Sequence, residues 1–289
     1  MRRLIALAAT ALVAPALAMA APATAHAAPA TAKPASPVDA LRQQFAKKST
    51  VRMDEDTRIK VDGKDLFRYR QAGVLRFGKS GVDASDTRTV VKSDAEGGDS
   101  TVRVIILNGK AYLKSPLYDE LLPAGRTWVR TSAPTAGGTN SVIDVLRPKV
   151  LKTVLASTKS KAPAGRVGGA RTTLLRGSLS LSALAKVSPD AAEFARSVKS
   201  KKPVMLPWKM WIAADQLPRR FQSSFPMSGG ALLGSMTITT DSRFTSWGGK
   251  VVIAAPPADL VIDEEDLTED LPVTPDLTTT ITGVAARER

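Results

Sequence analysis

Between Thr50 and Thr131 apolar and polar residues alternate with a period of two. Val51, Met53, Thr57, Ile59 and Val61 interleave with Arg52, Asp54, Asp56, Arg58 and Lys60, which predicts a strand with one dry and one wet face. Asp62-Gly63 supplies a tight turn, since glycine tolerates the positive φ of short hairpins. The next strand carries Phe67, Tyr69, Leu75 and Phe77 on one side, with a bulge expected at Gly73. Residues 87–92, a polar turn over 93–100, and residues 102–107 running into Asn108-Gly109 continue the pattern. Short strands over 111–114 and 127–131 complete an antiparallel meander.

The middle of the chain breaks that period. Residues 141–157 hold Val142, Ile143, Val145, Leu146, Val150, Leu151, Val154 and Leu155, a helical stretch that Pro148 must kink or divide. It is too apolar for a surface helix, so it must pack on something broad. Strand character returns over 170–181, and Ser188-Pro189-Asp190 starts another helix with Phe194 and Val198 on one side. Four further strands are expected over 204–213, 217–225, 232–240 and 251–254, ended by Pro256-Pro257. A first helix is punctuated by Ser36 at its N-cap, Pro37 at its first position and Asp39 in a capping box, with Val38, Leu41 and Phe45 on one face. The expected fold class is α+β and β-rich: about ten antiparallel strands in a curved sheet, an open half-barrel, with helices packed in its concavity.

The ends read differently. Arg2 and Arg3, the apolar run over 4–20 and Ala25-His26-Ala27 have the three parts of a cleavable export signal, with Ala18-Met19-Ala20 as an alternative cut. The expected organisation is a signal peptide over 1–27, an Ala/Pro linker over 28–35, a single domain over 36–258, and an acidic, then Thr-rich, tail over 259–289. Eight acids and no base fall between Asp259 and Asp276, whereas the whole chain carries a net charge of +14. A basic body with an acidic tail results; the tail is either solvated or folded over the body. Export implies an extracellular protein, and without a lipobox cysteine no acyl anchor can be attached, leaving at most a loose association with the envelope.

The chemistry is narrow. The single histidine, His26, lies in the leader and there is no cysteine, so the mature chain has no Ser-His-Asp triad, Cys-His pair, CxxC redox site or ordinary zinc site. The glycines at 165, 168 and 169 precede a strand and lack the Gly-Lys-Ser/Thr ending of a phosphate loop. Ser-x-x-Lys and Gly-x-Ser-x-Gly are absent. A carboxylate pair among Asp54, Glu55, Asp56, Asp119 and Glu120 would suit glycoside hydrolysis, but their alternation with bases fits the wet side of a sheet. No enzyme activity, cofactor or metal is expected. Aromatics are not interleaved with the bases, which argues against nucleic acid.

Several motifs resemble a known group. Trp211-Ile212 followed by Asp215-Gln216-Leu217-Pro218-Arg219, the exit Val251-Val252-Ile253-Ala254-Ala255-Pro256-Pro257, and Gly109-Lys110-Ala111-Tyr112 with Trp128-Val129 are similar to actinobacterial envelope proteins of the LppX/LprG type, which share the LolA-like fold. The likeness runs in order from Val51 to Asp263. It implies an apolar cavity for acyl chains between the concave side of the sheet and the covering helices. On that expectation the ligand-binding residues are Phe67, Tyr69, Phe77, Tyr112 and Trp128, with Ile143, Leu146, Val150 and Val154 from the middle helix and Trp211 from the last hairpin. Ordinary core packing is the competing reading of the same residues. The expected function is a secreted, non-enzymatic carrier or sensor at the cell envelope, holding a lipid, an acyl chain or another hydrophobic ligand between sheet and helices; the alternative is an interaction module whose basic face binds anionic phospholipid, a membrane surface or wall polymer.

Overall fold

The computed structural model describes residues 34–93, 99–133, 139, 141–198, 202–228 and 235–267. The leader, most of the linker and the tail from residue 268 lie outside the described residues, as do parts of the expected turn over 93–100 and the start of the strand expected at 232. Among the described residues twelve strands, rather than about ten, form one open sheet, in the order β12-β6-β5-β4-β3-β2-β1-β11-β10-β9-β8-β7. Strands β1 (Thr50–Val61), β2 (Lys64–Phe77), β3 (Val82–Ser93), β4 (Ser100–Leu107), β5 (Lys110–Lys114) and β6 (Trp128–Ser132) run outward from the centre as the expected meander. Strands β7 (Thr158–Val167), β8 (Ala170–Ser180), β9 (Met205–Ala213), β10 (Pro218–Ser228) and β11 (Ser235–Gly249) return from the opposite edge to pair with β1. Every pairing is antiparallel except that of β12 (Val261–Asp263), which lies parallel to β6.

This order explains the apolar middle segment. The link from β6 to β7 joins strands ten places apart, about 48 Å on a flat sheet at ~4.8 Å per strand, so it must cross a sheet face, and a crossing segment is buried on several sides. Pro148 neither kinks nor divides a helix. It starts one: α2 (Pro148–Ala156) takes the proline at its first position, where no N–H is needed, while Ser141 and Asp144 form side-chain turns ahead of it. Helix α1 (Pro37–Ala46) is capped by Ser36, whose hydroxyl accepts the Asp39 N–H at 3.2 Å and donates to the Asp39 carboxylate at 2.6 Å. Between β8 and β9 the chain detours through α3 (Leu181–Ala185) and α4 (Pro189–Ser197), each capped by a serine.

All four helices contribute to one core on one face of the sheet. Leu41 and Phe45 of α1, Val150, Leu151 and Val154 of α2, Leu184 of α3 and Phe194 of α4 join Val51, Met53, Tyr69, Leu75 and Phe77 of β1 and β2 and Leu206, Trp208, Met210, Phe221 and Phe244 of β9 to β11. We call this face the inner one.

Three sequence expectations are corrected. Gly73 is not a bulge: its register is continuous with Met53 and Thr87, and the register shifts fall at Ile59/Lys60 and Arg76/Phe77. Its glycine is required because a Cβ there would lie 2.2 Å from the Asp86 carbonyl oxygen. Residues 251–254 form no strand; they lie as an extended strap on the other, outer face, with Ile253 packed against Val74, Ala84, Ile105 and Trp128. Strand β7, unforeseen, forms the free edge beyond β8.

Candidate functional site

The structure divides the ten expected binding residues between two faces. Phe67, Tyr69 and Phe77 of β2 point inward and meet Ile143, Leu146, Val150 and Val154 in the helix-covered core. The four residues from the middle segment are between 0% and 1% exposed. Phe77 stacks on Trp247 at 5.8 Å and meets Phe45 at 5.1 Å. The hollow that Val142 and Ile143 share with Leu206, Phe225 and Ile238 measures about 10 Å³, room for about one water molecule.

Tyr112, Trp128 and Trp211 face outward. Cross-strand pairing fixes this, because side chains alternate along each strand and directly paired residues share a face. Tyr112 pairs with Ile105, which pairs with Asp86 and, through it, with Val74 on the outer side of β2. Trp128 belongs to the small core under the strap, while Trp211 lies under the Arg220 guanidinium at 4.8 Å. The aromatics therefore do not line one cavity.

Sequence reasoning missed a second part of the inner face. By the same register, Val102, Val104 and Ile106 of β4, Ala111 and Leu113 of β5 and Val129 of β6 share the inner face with Thr87 and Thr89 of β3. None of these six apolar residues joins the core that the helices build. Val104, Ile106 and Leu113 remain half-buried, whereas Val102, Ala111 and Val129 are buried. Their alternation was visible in the sequence, but which strands the helices cover was not.

A polar row crosses the core strands and ends at this apolar strip, where Thr89 pairs with Val102. Ser242, Glu55, Gln71 and Thr89 are direct cross-strand neighbours on β11, β1, β2 and β3. The Ser242 hydroxyl donates to the Glu55 carboxylate at 2.6 Å, and both side chains are buried. Next to them the Gln71 amide oxygen is buried and accepts no hydrogen bond among the described residues. A buried acceptor left without a donor costs about 1–3 kcal/mol, so this oxygen marks a place where a donor is wanted.

Outside the site the charges are mostly answered. On the outer face, hydrogen bonds from Arg58 and Arg68 outweigh partial burial and hold the Asp56 carboxyl below its ordinary pKa, and Arg70 pairs with Asp54 at 3.0 Å. At the edge, Arg130 grips Asp263 with both nitrogens and lowers its pKa, and Thr131 donates to Glu264. The beginning of the acidic run is thus docked on β6. Asp144 is the exception: burial raises its pKa although Arg147 lies 3.3 Å away and bridges on to Asp190 at 2.7 Å. Among the described residues no group of three or more acidic or histidine side chains is placed to hold a metal ion.

No protein-family model matches the sequence, and no curated protein matches it either. Solved structures similar to the chain include LprF from Mycobacterium bovis, at 14% identity and a TM-score of 0.42 over 76% of this chain and 96% of that one. The Mycobacterium tuberculosis lipoprotein LppX is similar at 16% identity and a TM-score of 0.40, over 75% and 98% of the two chains. A LolA superfamily protein from Nitrosomonas europaea is similar at 10% identity and a TM-score of 0.24, covering 74% of this chain and 94% of its own. These are similarities of architecture. What the structure itself defines is an open sheet, antiparallel but for β12, with the four described α-helices packed on one face.

Proposed function

We propose that the protein is a non-enzymatic, exported lipid-holding protein, which lays an acyl chain along the inner face of β3 to β6 and hydrogen-bonds the lipid's polar head at Gln71. The observation that carries this reading is the buried Gln71 oxygen, unpartnered among the described residues, on the row that leads through Thr89 to the strip whose half-buried members are Val104, Ile106 and Leu113. An apolar strip ending in a single wanted donor matches a long chain with a hydroxyl-bearing head. The energetics suffice: at about 0.8 kcal/mol per methylene, a chain of about 16 carbons contributes on the order of 10 kcal/mol before ordering costs. The seven inward-facing residues from Phe67 to Val154 support the strip as its packed neighbour, and Tyr112, Trp128 and Trp211 belong to the opposite face.

The test is extraction of the purified secreted protein with organic solvent, followed by mass spectrometry, with displacement of a fluorescent fatty alcohol as the solution assay. Recovered lipid in near-stoichiometric amount and saturable displacement are expected. A clean extract together with no displacement would overturn the reading.

A further inference from the structure

We propose that a groove on the outer face, between the strap and strands β3 to β5, binds a linear polyanion carrying two or more acidic groups. The groove encloses about 710 Å³. Its floor holds three cations in direct register: Arg88 of β3 pairs with Arg103 of β4, and Arg103 with Lys114 of β5. Like charges placed opposite one another across strands destabilise a sheet. Only the middle cation is neutralised, by Asp86, which accepts from Arg103 at 3.0 and 2.8 Å. Arg88 and Lys114 have no carboxylate partner among the described residues, and Lys114 and Arg103 lean on the Trp128 ring at 6.0 and 5.5 Å. Thr101 and Ser115 add hydroxyls to the lining, and Asp119 adds one opposing carboxylate.

The spacing selects the ligand. Arg88 and Lys114 stand two strand spacings apart, about 10 Å, which is wider than the oxygens of one phosphate can span. Val252, Pro256 and Pro257 of the strap form the other wall. A flat bilayer surface is kept off the row by that wall, whereas an extended chain can enter along it. The apolar strap also reduces screening around the two unanswered cations.

Calorimetry on the full chain at about 0.15 M salt, with inorganic tripolyphosphate as probe and orthophosphate as comparison, tests the proposal. Tripolyphosphate should bind roughly tenfold or more tightly than orthophosphate and weaken steeply with added salt. Replacing Arg88→Ser together with Lys114→Ser should weaken it by at least about tenfold, while Lys159→Ser with Lys161→Ser, the same charge change on the exposed edge strand, should leave it within about twofold. Asp119→Asn should tighten binding. The Arg88/Lys114 double variant should keep or raise its urea midpoint, because it relieves repulsion. Equal weakening by both double variants would show diffuse attraction to a basic protein and overturn the site. So would absence of tripolyphosphate binding, or phosphatidylglycerol vesicles binding through Arg88 and Lys114 without competition from tripolyphosphate.

Discussion

Replacing Gln71→Leu should strengthen the fold and weaken lipid binding at once. The side chain keeps roughly its volume but loses the amide, so the buried oxygen that finds no donor among the described residues disappears. Removing an unsatisfied acceptor returns about 1–3 kcal/mol. With a urea m-value of ~3 kcal/mol/M for a chain of this size, the midpoint should rise by about 0.3–1 M. In the complex the same change deletes the bond to the head group, which costs about 1 kcal/mol or somewhat more. The wild-type protein should therefore bind a fatty alcohol roughly tenfold more tightly than the methyl ester of the same chain length, and the variant should treat the two alike. Urea unfolding and competition with a fluorescent fatty alcohol measure both halves. A lower midpoint in the variant would mean that the amide is already satisfied, and the reasoning would fail.

Four further outcomes follow from the packing and the charges. Leu151→Ala, at a position 0% exposed in the helix-covered core, should cost about 2–5 kcal/mol of stability yet leave lipid affinity unchanged in the folded fraction; Leu113→Ala on the half-buried strip should lower affinity several-fold in the displacement assay. Gly177→Ala should destabilise by about 1–3 kcal/mol or more in urea unfolding, because the new Cβ would lie 2.3 Å from the Ser157 carbonyl oxygen and 2.5 Å from the Trp208 ring. Asp263 has a pKa held below the ordinary 3.8 by Arg130, so its contribution is present above that value and is lost as pH falls through the lowered pKa; amide exchange in the segment 258–264, corrected for intrinsic rates, should rise there, and unchanged protection would contradict it. Asp144 has the opposite sign: burial raises its pKa, so the stability of wild type relative to Asp144→Asn should fall as pH rises from below 3.8 through the raised pKa, and a gap that widens instead would show the Arg147 pair to dominate.

What was legible in the sequence is what local chemistry dictates. The alternation of β1 with its Asp62-Gly63 turn, the Asn108-Gly109 hairpin and the Ser36 and Ser188 caps appear where expected, and Asp62, Gly63, Asn108 and Gly109 all have positive φ. Strand β7 escaped because Lys159, Lys161 and Pro163 suit an exposed edge and show no dry face. The apolar run of the strap at 251–254 has the pattern of a strand, although only Ile253 among these four is buried. The site was less legible than the fold. Periodicity shows that Phe67 and Tyr69 share a face, but the shared face of β3 to β6 and its distance from the helices follow from a sheet order that no local pattern encodes. Trp128 and Tyr112 look like cavity aromatics in sequence and prove to be the seat of the strap.

The most direct test of lipid holding on the inner face is photolabelling with a fatty alcohol that carries a photoreactive group along its chain, followed by peptide mapping. Saturable labels on inner-face residues of β4 and β5, among them Val104, Ile106 and Leu113, competed by unlabelled alcohol, are the predicted result. Labels confined to the strap residues 252–257, or no competed label anywhere, would contradict the account.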